Sequence, residues 1–350
     1  VDTIQEGPPA VSVVIVTYNN RHDIDACLRS LGAHSPETEI VVVDNMSVDG
    51  TADYIRGAYP SVRLIESGRN DGFGAGVNRG VRESHGAYVA VLNPDVEVQE
   101  NWLQPLINTL ESHPDVGLVT PTILLADPGS RVNACGNRSH LTGLTFCIGL
   151  NQPAPPVSSP PQEVPAISGA AFALRRWLWD QLGGFDEQFF MYLEDTEISW
   201  RTLRNGHKIM HVPASQVRHD YDLRISSSKI YYLEYNRLLL LRRNLATATL
   251  VVLFPALMVA EALIWAYCAS KGRAYLRAKW RSYLHVWRDR HKMRSVSSVT
   301  SRPDRTLLQT LSSRLSVEQL TDDGLATIGN HGLTAFFAMW RIAALIAVWW

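Results

Sequence analysis

The sequence predicts an α/β domain with a mostly parallel central sheet, followed by a helical extension suited to a membrane surface. Three observations predict it. Short apolar runs rich in β-branched residues recur at 11–16, 40–43 and 88–92, with helical patterns at 21–31, 50–58 and 74–84 between them. Each run leads into polar or glycine-bearing residues, and a parallel sheet places its ligand sites beyond the carboxyl ends of its strands. From Asn244 onward the character changes, first to a long apolar run and then to a basic one.

VSVVIV (11–16), IVVV (40–43) and YVAVL (88–92) are short enough for strands and too short for core helices. A helix over 101–112 and a strand over 116–125 follow. The segment 151–165, NQPAPPVSSPPQEVP, holds six prolines in fifteen residues. Proline has no N–H to donate and a fixed φ, so this is an extended loop. Regular pattern resumes over 167–183, and 208–218 reads as a strand. Residues 246–269 are almost wholly apolar, broken by Pro255 and Glu261. As a helix they would run about 36 Å, enough to cross a bilayer core of roughly 30 Å. In 271–294, Leu276, Trp280, Tyr283, Leu284 and Trp287 recur at helical spacing among nine basic residues. That is the pattern of a basic amphipathic helix with interfacial aromatics. A further apolar helix is predicted over 333–350. The implied organisation is a tail (1–10), an α/β domain (11–243), apolar and basic helices (244–294) and a C-terminal helical segment (295–350).

A chain of 350 residues with 46% hydrophobic and 19% charged residues can bury a core, which excludes global disorder. Cys27, Cys135, Cys147 and Cys268 are scattered and form no CxxC pair. A disulfide scaffold and a zinc knuckle are therefore not expected, and reduced thiols in a cytosolic compartment are. No charged stretch followed by an apolar core opens the sequence, so no secretion signal is expected. The net charge of −1 hides an asymmetry. Residues 242–294 carry eleven Lys/Arg against Glu261 and Asp289, and the remainder carries 22 basic and 32 acidic residues. A segment near +9 joined to a body near −10 suits an anionic membrane surface or nucleic acid.

Four clusters sit where a sheet-edge ligand would lie. Thr17-Tyr18-Asn19 follows the first strand, where small polar side chains reach a ligand or simply end the strand. Asp44 ends the second, where a carboxylate can accept hydrogen bonds from a base or ribose; Ser47 and Asp49 read as helix caps. GRNDGFGAGVNRG (68–80) has glycines that would let backbone approach a phosphate. It lacks the G-x-G-x-x-G spacing and does not follow strand one, so a dinucleotide-binding dehydrogenase is not expected. LNPDVEV (92–98) places Asp95 on a stiff turn, able to hold a hard divalent cation or to cap a helix. Downstream, Glu194 and Asp195 follow a run of apolar residues that would raise a carboxyl pKa towards a general base's working range. The plainer reading sets Glu194, Asp195 and Glu197 against a helix dipole. His219 ends the strand-like stretch and could ligate a metal.

In order along the chain, VSVVIVTYNN, VVVDNMSVDGT, NDGFGAGVNRG, LNPDVEV, GGFDEQFFMYLEDTEISWR and VRHD resemble glycosyltransferase family 2 on the GT-A fold, over about residues 11–243. The combination of LNPD, FFMYLEDTEISWR and YYLEYNR looks like the rhamnosyltransferase-type branch, which commonly acts on lipid-linked glycans. The resemblance implies inverting transfer of a sugar, rhamnose among the candidates, from a dTDP- or UDP-linked donor to a lipid-linked or cell-envelope glycan. It implies that Thr17, Tyr18, Asn19 and Asp44 line the nucleotide site, and that Asn70, Gly72, Phe73 and Asn78 lie along the donor pocket. Asp95 matches the surviving acid of a DXD motif, Asn93 stands at the first acid, and His219 matches a second metal-side position. The implied cofactor is Mg2+ or Mn2+. Asp195 matches the catalytic base, with Glu194 and Trp200 on the acceptor side. Tyr235 stands where an arginine is common, which leaves Arg237 or Arg243 to touch the diphosphate.

Nucleotide sugars are made in the cytosol. A single span by 246–269 would put the basic 271–294 on the outer side, against the positive-inside tendency. The expected placement is therefore peripheral or re-entrant, at the cytoplasmic face of a bacterial inner membrane. A soluble helical appendage is the plainer alternative. From a different class, a catalytically silent GT-A domain would serve as a nucleotide- or glycan-binding membrane scaffold; the joint presence of Asp95, Asp195 and His219 argues against it. A nucleic-acid partner is not expected, because no nucleic-acid-binding motif accompanies the basic stretch.

Overall fold

The computed structural model describes residues 10–127, 129–221, 224–291, 302–319 and 324–350. Residues 1–9 of the expected tail, the basic Lys292 and Arg294, and the start of the expected C-terminal segment lie outside the described residues. The first half runs β1 (Val11–Thr17), α1 (Ile24–His34), β2 (Glu39–Asp44), α2 (Thr51–Ala58), β3 (Arg63–Glu66), α3 (Phe73–Arg82) and β4 (Tyr88–Leu92). Then come β5 (Val96–Val98), α4 (Gln104–Ser112), β6 (Val116–Leu125), β7 (Val132–Ala134), β8 (Asn137–Ser139), β9 (Thr145–Cys147) and β10 (Gln162–Glu163). The remainder is β11 (Ala171–Arg175), α5 (Arg176–Leu182), α6 (Glu194–Arg204), β12 (Lys208–His219) and α7 (Ser227–Asn244). It closes with α8 (Thr247–Lys271), α9 (Arg273–Arg288), α10 (Asp304–Thr310) and α11 (Gly324–Ala347).

The main sheet has the order β10-β12-β6-β11-β4-β1-β2-β3, with β5 beside β12 and β7 beside β6. The half made of β3, β2, β1 and β4 is parallel, as the alternation of strands and helices predicts. The other half is mixed: β11 enters antiparallel between β4 and β6, and β12 runs parallel to β6. Parallel pairing needs a long, usually helical, crossover. Between β6 and β11 the described chain supplies strands and loops but no helix.

From β1 the chain moves outward to β2 and β3, then returns to β4 on the other side of β1. The crevice beyond the carboxyl ends of β1 and β4 is thus the switch point where such sheets bind ligands. Alternation along β1 serves both faces. Val13 and Ile15 pack with Ile24, Leu28 and Leu31 of α1, while Val14 and Val16 pack with Val77 and Val81 of α3. Helix α3 lies flush on that face: a Cβ at Gly80 would meet Val14 Cγ1 at 2.4 Å. A second core joins Phe146, Phe189 and Trp200 to apolar residues of α7, α8, α10 and α11, so it draws on residues both before and after position 243.

Helix α8 buries Leu253, Ala256, Ala260, Ile264 and Cys268 along one face. Its opposite face exposes Val251, Phe254 and Met258. Among the described residues it is the one helix long and apolar enough to cross a membrane by length and composition, and His331–Ala347 is a shorter apolar stretch. Glu261 points inward, into a buried cluster with Arg237, Glu234, Lys279 and Tyr283 that ties α7, α8 and α9 together.

Candidate active site

A cavity of about 460 Å³ opens at the switch point. Its floor comes from strand ends. Thr17 and Asp44 are register partners on β1 and β2, and the Thr17 hydroxyl donates to Asp44 Oδ1 at 2.9 Å. Asp44 Oδ2 accepts the Ser47 amide at 2.9 Å, so the carboxylate is buried and oriented. Asn19, at φ +58°, ties two loops together. Its amide donates to Ser47 Oγ and its Oδ1 accepts the Val48 amide, both at 2.9 Å. The N-cap of α2 is Gly50; Asp49, one residue before it, accepts from the Thr51 amide at 3.1 Å, whereas Ser47 bridges loops.

Gly72 marks a close approach, though to protein rather than to phosphate. At φ +90° a Cβ there would lie 2.2 Å from the Phe190 carbonyl oxygen, which accepts the Phe73 amide at 2.8 Å. This contact brings the 68–80 segment against the loop that precedes α6. Asn70 supports it by accepting the Gly72 amide at 3.0 Å.

On the β4 side, Asn93-Pro94-Asp95 forms a turn into β5 rather than a helix cap. Antiparallel pairing of β5 with β12 sets His219 opposite Val96, one residue from Asp95. His219 Nε2 lies 3.1 Å from Asp95 Oδ1 and 3.5 Å from Asn93 Nδ2. The other ring nitrogen, Nδ1, meets Asn133 Oδ1 at 3.1 Å. Donation from Nδ1 to Asn133 leaves the Nε2 lone pair facing the cavity. Asp95 Oδ1 is buried without a hydrogen-bond partner. An imidazole lone pair and an unpartnered carboxylate oxygen fit a divalent cation that takes its remaining ligands from phosphate and water. Among the described residues no group of three or more His, Cys, Asp or Glu side chains gathers to enclose a metal by itself.

Helix α6 brings the acids. Glu197 turns away to a buried pair with Arg201, while Glu194 and Asp195 line the cavity. Asp195 Oδ2 accepts from the Gly169 amide at 2.9 Å and Asn137 Nδ2 at 3.1 Å, and its Oδ1 accepts the Thr196 amide at 2.6 Å. Burial pushes both carboxyls above the ordinary range; the neighbouring Asp195 charge pushes Glu194 further, and hydrogen bonds hold Asp195 back. Tyr192 and Leu193, just before the helix, have φ of +73° and +66°. Two bulky residues in the left-handed region are strained. Buried Asn236 of α7 holds the turn, donating through Nδ2 to the carbonyls of Met191 at 2.8 Å and Tyr192 at 2.7 Å.

With this geometry in place, comparison with known proteins settles the family. The Glycosyl transferase family 2 model matches residues 12–132. The chain is 31% identical over 231 residues to the N-acetylglucosaminyl-diphospho-decaprenol L-rhamnosyltransferase of Mycobacterium tuberculosis, covering 59% of this chain and 75% of that one. The chain belongs to glycosyltransferase family 2. It is also 29% identical to the low-salt glycan biosynthesis hexosyltransferase Agl10 of Haloferax volcanii, over 65% of this chain and 74% of that one. Two solved structures share the GT-A fold. GalNAc-T7 with UDP, GalNAc and Mn2+ has a TM-score of 0.55 at 22% identity, covering 67% of this chain and 48% of that chain. The mannosyltransferase PcManGT from Pyrobaculum calidifontis, with GDP-Man and Mn2+, has a TM-score of 0.50 at 19% identity, covering 97% and 87%.

Within this family 2 chain, the cavity wall brings together Thr17, Tyr18, Asn70, Gly72, Phe73, Asn93, Asp95, Glu194, Asp195 and His219. Four expected residues lie behind or outside that wall. Asp44 and Asn19 act as described above. Asn78 is a staple, donating to the Phe185 carbonyl at 2.9 Å and accepting its amide at 2.8 Å. Trp200 is 1% exposed in the second core, with Nε1 donating to Ser139 at 3.3 Å. Neither arginine considered for the diphosphate reaches the cavity: Arg237 is held by Glu234 and Glu261, and Arg243 by Asp186 at 3.2 Å. Among the described residues, the Lys or Arg side chain on the wall is Lys229 of α7, bonded to Tyr221, which stacks on His219. Sequence reading missed Lys229, Tyr221, Asn133, Asn137 and Asn236. Lys229 carried a faint signal, a lysine one turn into a helix capped by Ser226. Asn236 lies in the YYLEYNR run without having been singled out, and Asn133 and Asn137 carried no signal.

Proposed function

We propose that the chain is an inverting glycosyltransferase that moves a sugar, rhamnose being the first candidate, from a dTDP- or UDP-linked donor to a lipid-linked or cell-envelope saccharide. The observation that carries this reading is a single cavity bordered by both the Asp95–His219 pair and Asp195. In this reading Thr17, Tyr18 and Asn70 border the nucleotide and Asp44 acts from behind Thr17. Asp95 and His219 would hold Mg2+ or Mn2+, which would neutralise charge on the departing diphosphate. Lys229 adds a second positive charge to that wall. Asp195 takes the proton from the acceptor hydroxyl as its oxygen bonds to the anomeric carbon. The bond from that carbon to phosphate breaks, its electron pair leaves with the nucleoside diphosphate, and the anomeric configuration inverts. The activity named for the mycobacterial relative, a rhamnosyltransferase to a diphospho-decaprenol saccharide, supports a lipid-linked acceptor.

The reading includes docking in the plane of a membrane at its cytoplasmic face. Exposed apolar side chains on α8, on α9 (Trp280, Leu284, Trp287) and on α11 (Met339, Ile342, Ile346) support it, as does exposed Arg273, Arg277, Arg281 and Arg288 on α9. Flotation with anionic vesicles tests the docking. A donor screen with Mg2+ or Mn2+ and a polyprenyl-diphosphate sugar acceptor tests the reaction. Acceptor-dependent release of nucleoside diphosphate, lost in Asp195→Asn, is the expected result. Tight donor binding without turnover by the wild-type chain would replace this reading with a silent scaffold.

A further inference from the structure

The β8–β9 hairpin is a two-stranded sheet of its own, and an isolated hairpin is marginal in water. Both of its edges are covered. On the β8 side the Asn137 amide donates to the Ala166 carbonyl at 2.8 Å. On the β9 side a single side chain takes the place of a strand. Gln319 Oε1 accepts the Cys147 amide at 3.0 Å, and Gln319 Nε2 donates to the Cys147 carbonyl at 2.7 Å. The segment that carries Gln319 is tied to β8 as well, where the Ser312 amide donates to the Ser139 carbonyl at 2.9 Å.

Asn137 and Cys147 are register partners. A facing antiparallel pair either exchanges both backbone hydrogen bonds or exchanges none, and the second kind sets its Cα atoms closer, at about 4.5 Å. Both backbone groups of Cys147 go to Gln319 and the Asn137 amide goes to Ala166, so this pair is of the second kind. Gln319 therefore fixes the residue against which Asn137 sits, and Asn137 Nδ2 bonds Asp195 Oδ2 at 3.1 Å. Gln319 also lines the Asp195 cavity. We propose that Gln319 is a positioning residue for Asp195, acting through Cys147 and Asn137, so that the segment after α10 completes the acceptor side of the site. The proposal rests on the glycosyltransferase reading above for the role of Asp195.

Carboxyl-carbon NMR on the full chain, labelled at Asp, follows the Asp195 titration, with Asp195→Asn assigning the resonance. Asn137 donates to the charged carboxylate, so losing that bond moves the titration up. It should move up in Asn137→Ala and, by less, in Gln319→Met, which keeps the length of Gln without its amide. The double variant should match Asn137→Ala, because both residues lie on one chain of contacts. Glu194, Cys147 and Tyr221 interact with the Asp195 charge, and Tyr192, Lys229, Asp95 and His219 share its cavity wall. All of them are kept in these variants. In the donor–acceptor assay Gln319→Met should lower kcat about fivefold while UDP affinity, by calorimetry, stays within about twofold. Gln319→Asn, one methylene shorter, is the milder variant and should move the titration the same way. An unmoved carboxyl in both Gln319 variants, or effects that add in the double variant, overturns the proposal. The expected titrations without turnover from any donor by the wild-type chain uphold the contact chain and sink the glycosyltransferase reading.

Discussion

Two clusters of buried acids sit in this chain under opposite regimes. Glu194 and Asp195 line the cavity with, among the described residues, no Lys or Arg bonded to either; burial raises both, and there Glu194 Oε2 lacks a hydrogen-bond partner. Glu234 and Glu261 are buried between α7, α8 and α9, where burial also acts upward but Arg237 and Lys279 overcome it. Glu234 is lowered and Glu261 falls to about 2. Burial is common to both clusters, so partners decide the outcome. The unpaired acids follow a strained turn at Tyr192 and Leu193, while the paired acids sit within regular helices. Strain and uncompensated carboxylates gather where chemistry is proposed, and full compensation gathers where helices must be held.

The largest test of this contrast is Asp195→Asn. Turnover should fall roughly 10²–10⁴-fold, the contribution of a general base. Affinity for UDP, measured by calorimetry, should stay within about twofold if Asp195 acts on the acceptor side and not on the donor. Because the Asp195 pKa is raised in the fold, its contribution to stability is fullest below the ordinary carboxylate range and is lost as pH rises through the raised value. Asp195→Asn should therefore melt higher than the parent at pH 8, with the gap closing at pH 4. A melting point that falls at both pH values would remove the contrast.

Breaking the paired cluster should act the other way. Lys279→Met leaves two buried carboxylates sharing Arg237, and urea unfolding should show a loss of about 3–5 kcal/mol. A loss under 1 kcal/mol would mean the cluster does not hold α9 in place. Asn236→Ala is smaller and acts on the strained turn. It should lower kcat about tenfold, near 1.4 kcal/mol, with UDP affinity retained. Asn236→Asp, which cannot donate to the two carbonyls, should fail to rescue it. The smallest effect is acid sensitivity. Glu261 is held from an ordinary 4.5 down to about 2, so its contribution to stability is present above 4.5 and lost as pH falls towards 2. Glu261→Gln should flatten that part of the stability profile in chemical unfolding.

Much of the donor half was legible in the sequence. Apolar runs of the right length, each closing on a polar residue, located β1, β2 and β4 and with them Thr17, Asp44 and Asp95. The β3 strand, RLIE, escaped because two apolar residues between two charged ones make too short a run to register. The helix predicted from 101 begins at Gln104, after Asn101 takes a φ of +61°. Asn133 and Asn137 were invisible, and Asn236 was not singled out within YYLEYNR, because an asparagine has no periodicity. Its role depends on which carbonyl or carboxylate a distant segment brings to it.

By itself, the sequence determined the parallel half of the sheet, the acids Asp95 and Asp195, His219, and the apolar and basic character of the last helices. These are properties of local pattern and residue chemistry, which short-range physics writes directly. Tertiary structure alone decided three things. It mixed the second half of the sheet, because the chain from β6 to β11 has no helix to make a crossover. It assigned the cavity's cation to Lys229 by tying Arg237 and Arg243 to acids elsewhere. It turned Glu261 inward, so that a helix long enough to span a bilayer is bound along its length to the protein. Each depends on pairings across tens of residues, and the free energy of a buried charge is set by whichever partner the fold delivers.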